Sequence, residues 1–367
     1  MLRAQRRLHN LIPHFITPRI DHHQRHNTAL HWRQMSMRAV QVKGGASNLA
    51  SDLYVADNID RPKLKPHEVL VKVRAFGLNR MDILQRMGKY PLPPGASTIL
   101  GVEFSGTVED AASSDLKTGS QVFGLAFGGA YAEYIAVDAG MVVTKPEHLS
   151  HAQAAAIPEN WLTAYQCLFL VGQMKEGDNV LIHAGASGVG TSANQLARVF
   201  GAKHIITTAG SKAKCKFLKE KLGVTDAINY KTQDFAEEVK KLTDGKGVDV
   251  VLDFVGPDYW EKNIASLARD GRMVLIGLLS GMKTREGIDM AQILFKRLRI
   301  EGTTLRSRTP EYQADLLHQF KEKAMPKLLG EGLDLIIHKT YDWSQIVEAT
   351  QEMEQAKNTG KIVMTIG

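Results

Sequence analysis

Between Val180 and Gly190 the chain reads VLIHAGASGVG, and few folds admit such a run. A short apolar strand, Val180–His183, enters a turn carrying Gly185, Gly188 and Gly190, and a helix opens directly behind it. Glycine lets the backbone bend tightly there and come close to a neighbouring group. The same rhythm continues as helix Val189–Phe200, strand His204–Thr208, helix Lys212–Leu222 and strand Ala227–Tyr230. Helix Asp234–Thr243, strand Val248–Val255, helix Tyr259–Ala268 and strand Arg272–Gly277 follow. Alternating units of this length predict an α/β fold with a parallel sheet covered on both faces. The right-handed crossover rule makes that fold doubly wound.

The flanking segments read differently. Arg38–Val42 alternates weakly and Glu68–Phe76 clearly, with Val69, Val71, Val73 and Ala75 on one face. Gly101, Gly106, Gly119, Gly124, Gly128 and Gly129 then punctuate short apolar pieces, as in an irregular β-rich domain or partly open barrel. In the tail, Leu333–Lys339 and Lys361–Ile366 read as strands, and Trp343–Lys357 as an amphipathic helix capped by Asp342. These pieces lack a partner of their own and are expected to complete the first domain. The length of 367 residues suits about two domains. The expected division is 37–160 with 303–367 as the β-rich domain, and 161–302 as the doubly wound one.

The formal charge of +7 is unevenly placed. Arg3, Arg6, Arg7, Arg19, Arg25 and Arg33 stand against Asp21 alone in residues 1–36, which leaves only +2 on the remainder. That remainder offers no basic footprint for nucleic acid. Residues 1–36 read as a leader resembling an organellar transit peptide, as a disordered extension, or as sequence upstream of a start at Met35 or Met37. The expected location is accordingly cytoplasmic or mitochondrial. No apolar run approaches the ~18 residues that span a bilayer, so no membrane is expected. Cys167 reads as core and Cys215 as an inert surface thiol; two distant cysteines build neither a disulfide framework nor a Cys-rich zinc module. A cluster at His22, His23 and His26 reads as solvated leader rather than as a metal site.

The turn from Gly185 to Gly190 carries chemistry as well as shape. Helix N-termini present free N–H groups and partial positive charge, which suit a dinucleotide pyrophosphate. An NAD site ordinarily places Asp or Glu about 20 residues onward to hold the ribose diol. Here the chain reads Thr208-Ala209-Gly210-Ser211, followed by Lys212, Lys214 and Lys216, with no acid before Glu220. A hydroxyl beside ammonium groups suits a 2′-phosphate, so the expected cofactor is NADPH. The bland alternative is a solvated lysine face.

Several segments together resemble the medium-chain dehydrogenase/reductase superfamily in its zinc-free quinone oxidoreductase (ζ-crystallin-like) branch. They are LNRMDILQRMGKYPLPPGAS, ILGVEFSG, AAAIPENWLTAYQ, IHAGASGVGTSANQLA, DFVGPDYWEKN and NTGKIV, nearest to the tumour-suppressor-inducible subgroup. The resemblance spans about Met37 to Gly367 and implies a GroES-like catalytic domain beside a Rossmann nucleotide-binding domain. Zinc alcohol dehydrogenases place a Cys ligand where this chain has Asn79, and a His where it has Val102 before Glu103. The resemblance therefore implies a metal-free enzyme. It places Asn79 and Tyr90 beside the nicotinamide as weak positioning groups, with Thr163 nearby; Tyr90 is also readable as a packing tyrosine and Thr163 as a plain helix residue. It assigns the pyrophosphate to Gly185, Ala186, Ser187, Gly188, Val189 and Gly190, the 2′-phosphate to Ser211 and Lys214, and the adenosine side to Tyr230. An extra residue between Ser211 and Leu222 leaves Lys212 and Lys216 open as alternatives to Lys214. Phe254 and Gly277 fall at strand ends where cofactor contacts occur. Asn358 and Lys361 close the cleft, Lys361 being equally readable as a strand-edge lysine.

The expected activity is NADPH-dependent reduction of quinones, with the substrate a quinone or another conjugated carbonyl. An enoyl or 2-alkenal reductase on the same scaffold is the alternative, and a cofactor-bound RNA-binding or crystallin-like structural protein a more distant one. The resemblance also implies a homodimer joined near Arg299–Leu305.

Overall fold

Val69, Val71, Val73 and Ala75 alternate with polar neighbours, and in the computed structural model all four are buried along one strand. The structure describes residues 36–284, 287–330 and 334–367. The expectations placed on residues 1–35 and on Leu333 lie outside that range. Met37–Gly367 forms one compact unit.

Strands β1 (Ser36–Val42) and β2 (Leu53–Asp60) pair with each other. Next come β3 (Glu68–Gly77), β4 (Glu103–Asp110), β5 (Gln121–Leu125), β6 (Tyr134–Asp138) and β7 (Val142–Thr144). The parallel-sheet region supplies β8 (Asn179–Ile182), β9 (His204–Ala209), β10 (Asp226–Asn229), β11 (Val248–Asp253), β12 (Leu267–Leu275) and β13 (Arg299–Gly302). The tail adds β14 (Ile337–Asp342) and β15 (Lys361–Thr365).

Two sheets organise this unit. One has seven strands in the order β14-β15-β3-β4-β5-β7, with β6 also paired to β3. Of its tail strands, β15 runs antiparallel to β3, so the chain end closes the sheet built near its start. The other has six parallel strands in the order β10-β9-β8-β11-β12-β13. Read in chain order this is 3-2-1-4-5-6, the doubly wound arrangement whose order reverses between β8 and β11. Its strands are buried on both faces. Val180, Ile182, Val250 and Leu252 join one core, while Leu181, Ile206, Val251 and Met273 join another on the opposite side.

Several element bounds differ from the sequence reading: the tail strand is Ile337–Asp342 and the tail helix Ile346–Glu354, for example. Cys167 lies on a helix that has Pro158 at its first position and widens over Gln166–Val171. Pro fits there because its missing N–H would be unpaired in any case. The helix read as Tyr259–Ala268 is shorter, Trp260–Ser266, because Leu267 already pairs with Val248 in the sheet. Helix Pro158–Tyr165 packs on helix Gly188–Val199 and thereby links the two sheets. Asn160 Nδ2 secures that contact on Ser192 Oγ at 2.8 Å.

Candidate active site

The glycine turn is fixed by what surrounds each residue. A Cβ at Gly185 would stand 1.8 Å from Thr207 Oγ1, and one at Gly190 would stand 2.3 Å from the Ala184 carbonyl oxygen. Both glycines are therefore demanded by the fold. Gly188 is different: its nearest neighbours would be Lys361 Cδ at 3.5 Å and Asn160 Cβ at 3.7 Å. The protein itself leaves room for a side chain at the first residue of helix Gly188–Val199, and glycine keeps that space open. Ser187 caps the helix by accepting from the Gly190 N–H at 3.0 Å.

The last strand is seated against this turn. The Gly360 N–H donates to the Ala186 carbonyl at 2.8 Å, and Ser187 bridges Gly360 in parallel register. Asn358 Nδ2 donates to the Gly360 carbonyl at 2.8 Å. Lys361 follows, 4% exposed, and forms an ion pair with the fully buried Glu103. Its ammonium also donates to Asn79 Oδ1 at 2.5 Å, while Asn79 Nδ2 donates to Glu103 Oε1 at 2.8 Å. Glu103 Oε2 accepts the Glu159 backbone N–H at 2.8 Å. β4, β15, Asn79 and helix Pro158–Tyr165 thus meet at one carboxylate. Lys361 is interior, since β15 lies between β14 and β3.

Around this pair lies a second set of charged groups. Asp82, on helix Arg80–Arg86, accepts from the Asn79 N–H at 2.8 Å and from Tyr131 Oη at 2.9 Å. Burial pushes its carboxyl up to about 6. Arg306 is 2% exposed and donates to Gln85 Oε1 at 2.7 Å and to the Phe127 carbonyl at 2.8 Å. Its guanidinium lies 5.5 Å from the centre of the half-buried Tyr90 ring. Glu159 is half-buried, and burial together with the Glu103 carboxylate pushes its carboxyl up to about 8. Thr163 lies one turn further along the same helix face. Among the described residues no group of three or more His, Cys, Asp or Glu is placed to hold a metal ion.

A third corner forms beyond β9. Ser211 caps helix Lys212–Leu222 by accepting the Lys214 N–H at 3.2 Å. Tyr230 lies over Gly210, where a Cβ would stand 2.9 Å from its hydroxyl oxygen. Lys214 Nζ donates to the carbonyls of Ala356 at 2.9 Å and Asn358 at 2.7 Å, tying this helix to the segment before β15. Lys212 is exposed, and Lys216 pairs with Glu220 at 3.8 Å, so Lys214 alone of the three turns to this corner. Burial first, and then Lys231, lowers the pKa of the Lys214 ammonium. Neither lysine pairs with an acid among the described residues. Further on, a Cβ at Gly277 would stand 2.9 Å from the Phe254 carbonyl, so these two backbones must touch. An open hollow of about 450 Å³ adjoins them at the ends of β12 and β13, lined by Gly277, Leu278, Thr303, Thr304, Ser307 and Arg308.

The alcohol dehydrogenase GroES-like domain family matches residues 65–147, and the zinc-binding dehydrogenase family matches residues 188–322. Human quinone oxidoreductase is 30% identical over 91% of this chain and 99% of its own length. The chain belongs to the medium-chain dehydrogenase/reductase superfamily. Within that superfamily its likeness is to the quinone oxidoreductase branch, and the six-stranded sheet is the nucleotide-binding domain of these NAD(P) oxidoreductases. A CurK enoyl reductase structure is 30% identical with a TM-score of 0.78, covering 90% of this chain and 99% of that one. The zebrafish synaptic vesicle membrane protein VAT-1 homolog is 30% identical over 83% of this chain, which spans 65% of that relative. The chain spans 14% of a Mycobacterium tuberculosis phenolphthiocerol/phthiocerol polyketide synthase subunit, at 33% identity over 86% of its own length.

The residues present fit the dinucleotide of this superfamily. The open space at Gly188 lies at a helix N-terminus, and Lys214 and Lys231 bring two positive charges to a corner where, among the described residues, neither pairs with an acid. The sequence reading missed Glu103, Asp82, Glu159, Arg306 and Lys231. Glu103 and Glu159 sit inside segments that carry the family likeness, but nothing in their spacing marks them.

Proposed function

We propose that the protein is an NADPH-dependent reductase of quinones that works without zinc. The observation that carries this reading is the Ala209–Ser211 corner, where no acid can hold a ribose diol and Ser211, Lys214 and Lys231 suit a phosphate. The cofactor supplies a hydride when bound. Ala186, Ser187, Gly188 and Val189 would hold its pyrophosphate, Tyr230 would flank the adenosine, and Thr163, Phe254 and Gly277 would border the nicotinamide. Asn358 and Lys361 join the cleft from β15.

The substrate half rests on the donor set. Where zinc-dependent relatives place Cys and His, this chain has Asn79 and Val102, and the Asn79 amide is engaged with Glu103 and Lys361. An acceptor that takes hydride without a bound metal suits this site. Quinones and conjugated enals do so because the resulting anion is delocalised onto oxygen. The chain contributes positioning and fixed charge. The likeness to CurK enoyl reductase supports a second reading, an enoyl or 2-alkenal reductase on the same scaffold. Steady-state rates with NADPH and NADH on o-quinones, p-quinones, 2-enals and 2-enoyl thioesters test both. NADPH-driven turnover of quinones is expected; a preference for NADH would overturn the cofactor reading, and turnover of enoyl thioesters alone would favour the second.

A further inference from the structure

We propose that Glu159 delivers the proton that completes reduction of the acceptor, which rests on the reductase reading above. Its backbone is fixed from two directions. The Glu159 N–H donates to Glu103 Oε2 at 2.8 Å, and the adjacent Asn160 ties the helix to Ser192 on the helix that opens at Gly188. The first turn of Pro158–Tyr165 is thereby held between the buried ion pair and the cofactor loop. The Glu159 carboxyl is half-buried and accepts no hydrogen bond among the described residues.

The charges around it decide its protonation. Glu103 faces it from β4, Asp82 from helix Arg80–Arg86, Lys361 from β15, Arg306 from the segment after β13, and Tyr90 from the segment after helix Arg80–Arg86. Lys361 is already engaged with Glu103 and Asn79, and Arg306 with Gln85 and the Phe127 carbonyl. A third carboxylate here would meet two like charges with no cation of its own, so the neutral acid is favoured. Its carboxyl, pushed up to about 8, keeps its proton at neutral pH and yields it to a stronger base. Partial exposure leaves a route for solvent to restore it.

The step balances. Hydride from NADPH brings both electrons to the acceptor and leaves an anion, a hydroquinone monoanion or an enolate. The Glu159 O–H bond breaks, a new bond to hydrogen forms on that anion, and Glu159 is left as carboxylate until water reprotonates it. The sum is NADPH, one proton and the acceptor giving NADP⁺ and the reduced acceptor.

Glu159→Gln keeps the shape of the side chain and removes the proton. With wild-type protein, kcat should fall as pH rises through about 8. In Glu159→Gln that alkaline limb should vanish, and kcat at neutral pH should drop roughly 100- to 10,000-fold. The loss should be larger for a 2-enal than for a p-quinone, because an enolate is the stronger base. Glu159→Asp should recover part of the rate and the limb. Independently of turnover, infrared difference spectra of the cofactor-free protein between pH 7 and pH 9 should show loss of a protonated-carboxyl stretch, absent from Glu159→Gln. Wild-type kcat and an unchanged pH profile in Glu159→Gln, or no such infrared signal, would overturn the proposal while leaving the reductase reading intact. Wild-type protein that reduces none of the acceptors would overturn both.

Discussion

Gly185, Gly188 and Gly190 answer to different neighbours, and that difference separates binding from folding. At Gly190 a Cβ would press on the Ala184 carbonyl, whereas at Gly188 it would meet nothing closer than 3.5 Å. Gly190→Ala is expected to lower stability by about 1–3 kcal/mol through overpacking. Gly188→Ala should melt like the wild type yet bind NADPH and NADH alike about tenfold more weakly, or ~1.4 kcal/mol. Thermal melts with fluorescence titrations distinguish the two; unaltered binding in Gly188→Ala would move the pyrophosphate elsewhere. Lys214→Ala should weaken NADPH by roughly tenfold to a hundredfold, the loss of one charge-assisted contact, and leave NADH nearly unchanged. Equal losses for both cofactors would reduce Lys214 to its hold on the Ala356 and Asn358 carbonyls. The glycine turn was legible because strand, turn and helix are contiguous in sequence. Glu103, Asp82, Arg306 and Glu159 were not, because four distant segments must converge before these residues share a charge problem. Lys361 kept two readings for the same reason; its place on β15, between β14 and β3, emerges only in the folded sheet.

Elements of the parallel sheet are joined by a buried histidine that no substrate needs to reach. His183, just beyond β8 and fully buried, contacts Thr208 Oγ1 of β9 at 3.0 Å and Asn263 Oδ1 of helix Trp260–Ser266 at 2.7 Å. The rings of Phe235 and Tyr259 stand edge-on to it, each 4.8 Å away. Burial lowers its pKa to about 4. The unfolded chain, near 6.5, binds the proton first, so this contribution is complete above about pH 6.5 and is lost as pH falls toward 4. The expected loss is about 3 kcal/mol. Asp82, Asp253 and Glu159 act in the opposite sense, because their raised values let the folded state hold protons that the unfolded state releases. Urea unfolding at pH 7 and pH 5 should therefore compare wild type with His183→Asn. The gap between them should narrow at the lower pH, and a constant gap would mean that His183 does not titrate in this window. At this scale the βα rhythm was legible from its period and its glycines. The helix Pro310–Gln319 and its widened continuation through Ala324 were not. Lys321, Glu322 and Lys323 interrupt the apolar pattern there, while Phe320 turns inward to meet the rings of Trp161 and Tyr165 at 6.3 and 6.0 Å.

At the scale of the whole molecule, the crossover rule pointed to a doubly wound fold, but nothing local showed the sixth strand or what the sheet's outer edge would expose. β13 ends that sheet, and only β12 stands beside it in the strand order. Next to it, helix Ala291–Lys296 presents Leu294 and Phe295 at 73% and 72% exposure, and the segment before it presents Met282 at 84%. An unpaired strand edge beside an apolar patch invites a second chain. We propose that the partner is another copy of this chain, its edge strand meeting β13 about a twofold axis, as closed symmetry favours. Leu294→Lys combined with Phe295→Asp places charge in the centre of that patch without touching the buried cores. Sedimentation at micromolar concentration should give twice the chain mass for wild type and the single chain mass for the double variant, with far-ultraviolet circular dichroism unchanged. A wild-type monomer under those conditions would overturn the dimer. A double variant that stays dimeric would instead move the interface away from β13, and with it the account of why Met282, Leu294 and Phe295 stand open to solvent.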